Sequence, residues 1–232
     1  MERSAAELGP VIPLFALALA VISLLQATWP PPERKDMAVI FVLSLLFIVP
    51  SQQLTNVIIF FLAVWLLYRN SNQSFWGASI LVMVSLQGIL AVYLLKWAAG
   101  PVLTFDAALT SVLLNITTGS ASYLGNIVYG PADHQLLILR GCSSLPLAMG
   151  GVIAWFAIAR FSRLPFNARE IAVVCVISFL LISLNIIRLS MMACDMNWHT
   201  WWHATEGQQT FQLLAVFIIL ASCAGGLRYV RS

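Results

Sequence analysis

"IAVVCVISFLLISLNIIRLSMMA", residues Ile171–Ala193, is an apolar run long enough to cross a bilayer, since a spanning helix needs about 20 such residues. Its single charge is Arg188, with Asn185 three positions earlier on the same helical face. A guanidinium at membrane depth costs at least about 2.5 kcal/mol, so by default it faces the protein interior and takes an anionic partner. The bland alternative is snorkelling to the interface, since Arg188 lies near the end of the run. Composition extends this reading to the whole chain. Its 232 residues are 60% hydrophobic and 9% charged, with a mean hydropathy of +0.90, well outside the range of soluble domains. The sequence therefore reads as one integral membrane domain over 1–232, with no stretch polar enough to build a separate soluble core.

Six further apolar runs stand on either side, and together they predict spans at Pro10–Ala27, Met37–Val49, Leu54–Tyr68, Phe75–Trp97, Ser144–Phe161, Ile171–Ala193 and Thr210–Leu227. The expected fold is an all-α, polytopic bundle of about seven spans. The pair between 37 and 68 is broken only by "PSQQ", so one kinked helix is the alternative there. A cytoplasmic C-terminus puts Arg34, Lys35, Arg69, Arg160, Arg163, Arg169, Arg228 and Arg231 all inside, and leaves Arg3, Lys96, Arg140 and Arg188 as exceptions. The mixed-charge opening "MERSAAE" lacks the basic region of a cleaved signal peptide. The net charge of +3 is dispersed, with no lysine-arginine block to track a phosphate backbone, so nucleic acid is not an expected partner.

Seven spans with the N-terminus outside leave two polar outer segments, Ala98–Cys142 and Cys194–Gln209. In the first, "LTFDAALTSVLLNI" carries Phe105, Leu109, Val112, Leu113 and Ile116 at helical spacing and predicts an amphipathic interfacial helix. After it, "NIVY" and "LLIL" flank "GPADHQ" and predict a small β-hairpin leading into Cys142.

Four cysteines show no C-x-x-C pair, which removes the spacing of a zinc ribbon or a dithiol centre. Cys175 and Cys223 fall within spans and read as packing residues. Cys142 and Cys194 fall at outer ends, where a structural disulfide is one reading. The other reading takes Cys142 with Arg188 and with His203 of "HTWWHATEG", at the mouth of the last span. A thiol attacks only as thiolate, and a nearby cation or imidazole lowers its pKa or takes its proton. In that reading Cys142 attacks a peptide carbonyl. His203 serves as base and then protonates the leaving amine, while Arg188 holds the oxyanion or the thiolate. His199 and His203, at i and i+4, also have a spacing compatible with a metal, with Asp195 or Glu206 as further ligands, but no third histidine is near in sequence. No metal or other cofactor is expected. The tryptophans at 198, 201 and 202 read as an interfacial belt.

The combination of Cys142 in "GCSS", Asn185-x-x-Arg188 and His203-x-x-x-Gly207 before a final span resembles the exosortase and archaeosortase family. The resemblance runs from about Asp106 to the C-terminus and includes "GNIVYGPADHQLLILRGCS". Residues 1–97 match only in hydropathy and in "FIVPSQQ" preceding a span that ends in "YRN". The resemblance implies N-terminal spans over 1–97 and a catalytic region over 98–232. It further implies a cysteine protease or transpeptidase that removes a C-terminal sorting tag from exported proteins and transfers them to a surface anchor. The tag is a short motif, a transmembrane segment and a basic tail. Cys142, Arg188 and His203 carry the catalytic roles by motif position, with Asn185, Gly207, Arg140 and Ser143 in support. One departure is Ser144, where family members more often have glycine. Two other classes fit the residues: a transporter or channel with a structural Cys142, and a thiol-disulfide or metal-dependent enzyme using Cys194 or the histidine pair.

Overall fold

The computed structural model describes residues 8–27, 31–49, 51–69, 74–131 and 134–232. The "MERSAAE" opening with Arg3, Pro50 of "PSQQ", Asn70 of "YRN", and Ala132 and Asp133 of the expected hairpin turn lie outside the described residues.

The chain order is α1 (Leu8–Leu25), α2 (Arg34–Phe47), α3 (Gln52–Tyr68), α4 (Ser74–Trp97), α5 (Ala99–Thr118), β1 (Ser122–Leu124), β2 (Ile127–Tyr129), β3 (Gln135–Leu137), a 3-10 turn (Arg140–Cys142), α6 (Ser144–Phe161), α7 (Arg169–Cys194), α8 (Met196–His203) and α9 (Thr205–Arg231). Every expected span has a helix, and α2 and α3 are separate helices rather than one kinked helix. Among the described residues, α5, α6, α7 and α9 are long and apolar enough to cross a membrane. Helices α1, α3 and α4 contribute shorter apolar stretches, Ile12–Leu25, Gln53–Tyr68 and Phe75–Leu90. This is a mostly helical membrane protein with at least these four candidate crossings. α5 was expected to lie in the interface, yet by length and composition it too qualifies as a span.

The helices pack through small residues. Ala16 and Ala20 of α1, Ala63 of α3 and Ala157 of α6 are fully buried in one cluster, where short side chains let backbones approach. A second cluster centres on Trp155 with Ile177, Leu181 and Ile219, and joins α6, α7 and α9.

One end of the bundle collects the basic residues expected to share a side. Arg69, just after α3, bridges Glu33 and Asp36 at the start of α2, both at 2.9 Å, and Trp65 Nε1 donates to Asp36 at 3.1 Å. Early α3 meets late α4, where Gly88 packs on Asn56, so α4 starts at this same end. There Arg160, fully buried at the end of α6, donates to both oxygens of Glu170 at the start of α7. Its guanidinium lies 4.0 Å from the Phe166 ring centroid and 5.5 Å from that of Trp76. Arg169 donates to the Tyr229 carbonyl of α9 at 3.4 Å.

At the other end α7 outruns α6. Asn185 is level with Cys142, to whose carbonyl it is bonded, so nine further residues to Cys194, about 13 Å of helix, project past the start of α6. α5, the sheet and α8 pack around this overhang, with Leu103, Leu114, Val128, Leu136, Leu189, Met192 and Trp202 forming a separate core. The sheet is an antiparallel meander, β1-β2-β3. β2 and β3 are the expected hairpin; β1, for which no strand is expected, pairs through Tyr123 with Val128. Gly130 ends β2 against α7, where a Cβ would fall 2.0 Å from the Ala193 carbonyl oxygen, so only glycine allows this contact.

Candidate active site

Cys142 closes the 3-10 turn that follows β3. Its N–H donates to the Leu139 carbonyl at 2.9 Å, and its own carbonyl accepts from Asn185 Nδ2 at 2.8 Å. Both backbone groups are thus fixed while the half-buried side chain carries no bond. All four cysteines are free, so the Cys142–Cys194 disulfide is not formed.

α6 begins directly after the thiol. Ser143 caps it by accepting from Leu145 N–H at 3.3 Å, and Pro146 occupies a first-turn position where its missing N–H costs nothing. Fully buried Asp106 of α5 accepts from Ser144 N–H at 3.0 Å and from Ser144 Oγ. A helix N-terminus favours an anion. Here Asp106 already fills that place, so the dipole of α6 is directed at its carboxyl group.

The cation expected near the thiol is Arg188 of α7. One turn beyond Asn185, it lies 4.6 Å from the Phe211 ring centroid of α9. Its Nε is buried with no hydrogen-bond partner among the described residues. The expected anionic partner is absent among those residues: no carboxylate pairs with Arg188. Instead it stands one turn beyond Asn185, which bonds the Cys142 carbonyl, and its charge is one of the causes that lower the pKa of His203. The physical reason is that Phe211 supplies the guanidinium with an aromatic face, which tolerates a cation without neutralising it.

His203 ends α8, an eight-residue helix capped by Asp195, whose carboxylate accepts from Asn197 N–H at 3.2 Å. Gly207 decides how closely α8 and α9 meet. A Cβ there would lie 2.3 Å from the Trp201 carbonyl oxygen and 2.7 Å from Trp202 Cα, so any other residue forces α8 and α9 apart. The imidazoles of His203 and His199 are 4.7 Å apart between centroids, and His134 lies 6.1 Å from His199. His134 Nε2 pairs with the Met192 carbonyl at 3.1 Å, which ties the sheet to the overhang. Among the described residues no group of three side chains is placed to hold a metal ion.

The structure thus bonds Asn185 to Cys142, sets Arg188 one turn further along α7, and places His203 at the end of α8. None of the catalytic candidates hydrogen-bonds another through its side chain. Gly207 acts through its backbone and Ser143 through the hydroxyl that caps α6, and the exposed Arg140 side chain has no bond among the described residues. Asp106, Phe211 and His134 were not among the expected site residues. Asp106 carried a signal, a carboxylate inside the apolar run "LTFDAAL". Phe211 and His134 carried none.

His203 keeps much of its ring accessible, yet desolvation is the first cause lowering its pKa below the ordinary 6.5, followed by His199 and then Arg188. His199 is lowered likewise, by desolvation and then by His134. A reaction needing neutral His203 therefore keeps its base at pH 7 and loses it only below 6.5. The expected rate profile has an acid limb with its midpoint under 6.5, and the His203→Ala variant lacks that limb. The same depression means the folded state takes up fewer protons than the unfolded chain below 6.5, so thermal stability falls as pH drops through that value.

No family model, curated protein or solved structure matches this chain. The likeness to exosortases rests on the residues themselves.

Proposed function

We propose that this protein is a membrane-embedded cysteine peptidase or transpeptidase of the exosortase type. It cleaves a C-terminal sorting tag from exported proteins. The observation that carries the reading is Arg188: among the described residues it has no carboxylate partner, its Nε is buried and unbonded, and it stands one turn beyond Asn185, which bonds the Cys142 carbonyl. Such a cation lowers the cost of a thiolate and then of the oxyanion that forms when the thiolate adds to a peptide carbonyl.

In the proposed reaction His203 takes the thiol proton, and the Cys142 sulfur bonds to the scissile carbonyl carbon. The tetrahedral oxyanion is held by Arg188. Collapse breaks the C–N bond, and His203 returns its proton to the leaving amine. A thioester on Cys142 remains, and water or the amine of a surface anchor takes the acyl group. The bond from Asn185 to the Cys142 carbonyl fixes the nucleophile's backbone through both steps. Hydrogen bonds of this kind tighten when substrate binds.

Seven crossings with the N-terminus outside and α5 in the interface complete the proposal. They put the basic end in the cytoplasm and the site at the outer face of the cytoplasmic membrane. A tag held by its own transmembrane helix then meets the thiol at fixed depth, which replaces part of the entropy of encounter.

The test is co-expression with a reporter ending in a candidate tag, followed by hydroxylamine quench and mass spectrometry. The expected result is a product with a C-terminal hydroxamate, formed from a thioester on Cys142. Processing with no acyl group ever found on Cys142, and no sensitivity to hydroxylamine, overturns the reading.

A further inference from the structure

The sheet beside the thiol has a free edge. In the β2–β3 ladder Gly130 N–H donates to the His134 carbonyl at 2.8 Å and Ile138 N–H to the Asn126 carbonyl at 2.9 Å. With Val128 opposite Leu136, these are the hydrogen-bonded pairs, and the alternation of an antiparallel ladder makes Ile127–Leu137 and Tyr129–Gln135 the non-bonded ones. Gln135 and Leu137 therefore direct both N–H and C=O away from β2. Both residues are exposed, and no hydrogen bond occupies these backbone groups among the described residues. Unpaired groups of this kind are a template for another strand.

The edge leads to the nucleophile. Leu139, next in the same register, accepts from Cys142 N–H, so the thiol stands one turn past the strand. The face toward α5 and α7 is closed by buried Val128 and Leu136, while Leu124 and Leu137 remain 70% and 53% exposed on the other face.

We propose that the outward edge of β3 binds the extended peptide segment that Cys142 attacks, as a fourth strand of the sheet. This rests on the peptidase reading and adds to it a mode of recognition. Main-chain bonds to Gln135 and Leu137 hold the segment, and the exposed leucines take alternate side chains. A residue immediately preceding a tag's transmembrane helix must therefore be extended, because a helical segment has no free amides for this edge.

The probe is a fluorescein-labelled Thr-Val-Thr-Val amide, whose β-branched residues favour extension, with binding read by anisotropy on the full-length protein in detergent. Leu137→Pro removes one outward donor and leaves the ladder to β2 intact. It is expected to weaken binding about fivefold, the equivalent of one net hydrogen bond. Leu137→Ala keeps the donor and loses less. On the unaltered protein, N-methylation at alternate peptide residues is expected to abolish binding in one parity and spare it in the other. Equal affinity for both methylation patterns, or no binding, overturns the proposal. Parity-dependent binding with no thioester on Cys142 keeps the edge and removes the peptidase reading. A thioester without parity dependence does the reverse.

Discussion

Cys142→Ala is expected to reduce processing of an anchored reporter by about a thousandfold or more, as loss of a covalent nucleophile does elsewhere. The fold gives this variant little reason to fail otherwise. The turn at Cys142 is held by its own backbone N–H and carbonyl, which alanine keeps, and the half-buried sulfur makes no hydrogen bond. Arg188→Ala is expected to fall nearly as far, and Arg188→Lys to recover only part, since an ammonium lacks the fixed planar donors of a guanidinium. Catalytic residues that act as a unit are not additive. A Cys142→Ala, His203→Ala double variant should therefore process no more slowly than Cys142→Ala alone. Initial rates of tag removal measured on the same membranes check all four. If Cys142→Ser retains full function, the transporter or channel class stands and the covalent mechanism falls.

The second large effect is expected at Asp106. Asp106→Ala removes the acceptor of Ser144 N–H and Ser144 Oγ from a site closed to water. A hydrogen bond to a charged or carboxyl acceptor contributes about 1.5–3 kcal/mol, and stranding its buried donor adds desolvation cost, so a loss of about 3 kcal/mol is expected. Asp106→Asn keeps one acceptor oxygen and should lose markedly less. The measurement is thermal unfolding in detergent, read beside Cys142 alkylation by iodoacetamide. Among the described residues α6 is hydrogen-bonded to α5 through this contact alone, so the alanine variant should also change the alkylation rate before it unfolds.

Much of the bundle was legible because hydropathy reports length and membranes permit few solutions to the backbone problem. α6 begins at Ser144 and ends at Phe161, where the apolar run does. What hydropathy could not reveal is how far each helix projects. α7 and α6 look alike as runs, yet eight residues more in α7 create the overhang on which α5, the sheet and α8 assemble. β1 was missed because "SYL" is three residues flanked by glycines and serines, and its pairing with β2 is decided by the hairpin. α8 is not foreseen within the outer segment Cys194–Gln209 because its aromatic residues suit an interface in any conformation. Of the site, Asn185 and Arg188 were legible from helical spacing, and the alignment of Asn185 on Cys142 follows their meeting at one depth. The company of Arg188 was misjudged. Sequence rules assign a buried guanidinium a carboxylate, whereas an aromatic face is invisible to them, because phenylalanines occur throughout such a chain.

The chain contains three histidines, and the fold draws all of them into one short row from His134 through His199 to His203. Imidazole resonances consequently sample this corner of the molecule without background from any other. Occupancy beside the histidine row can be followed in the native chain with no label introduced.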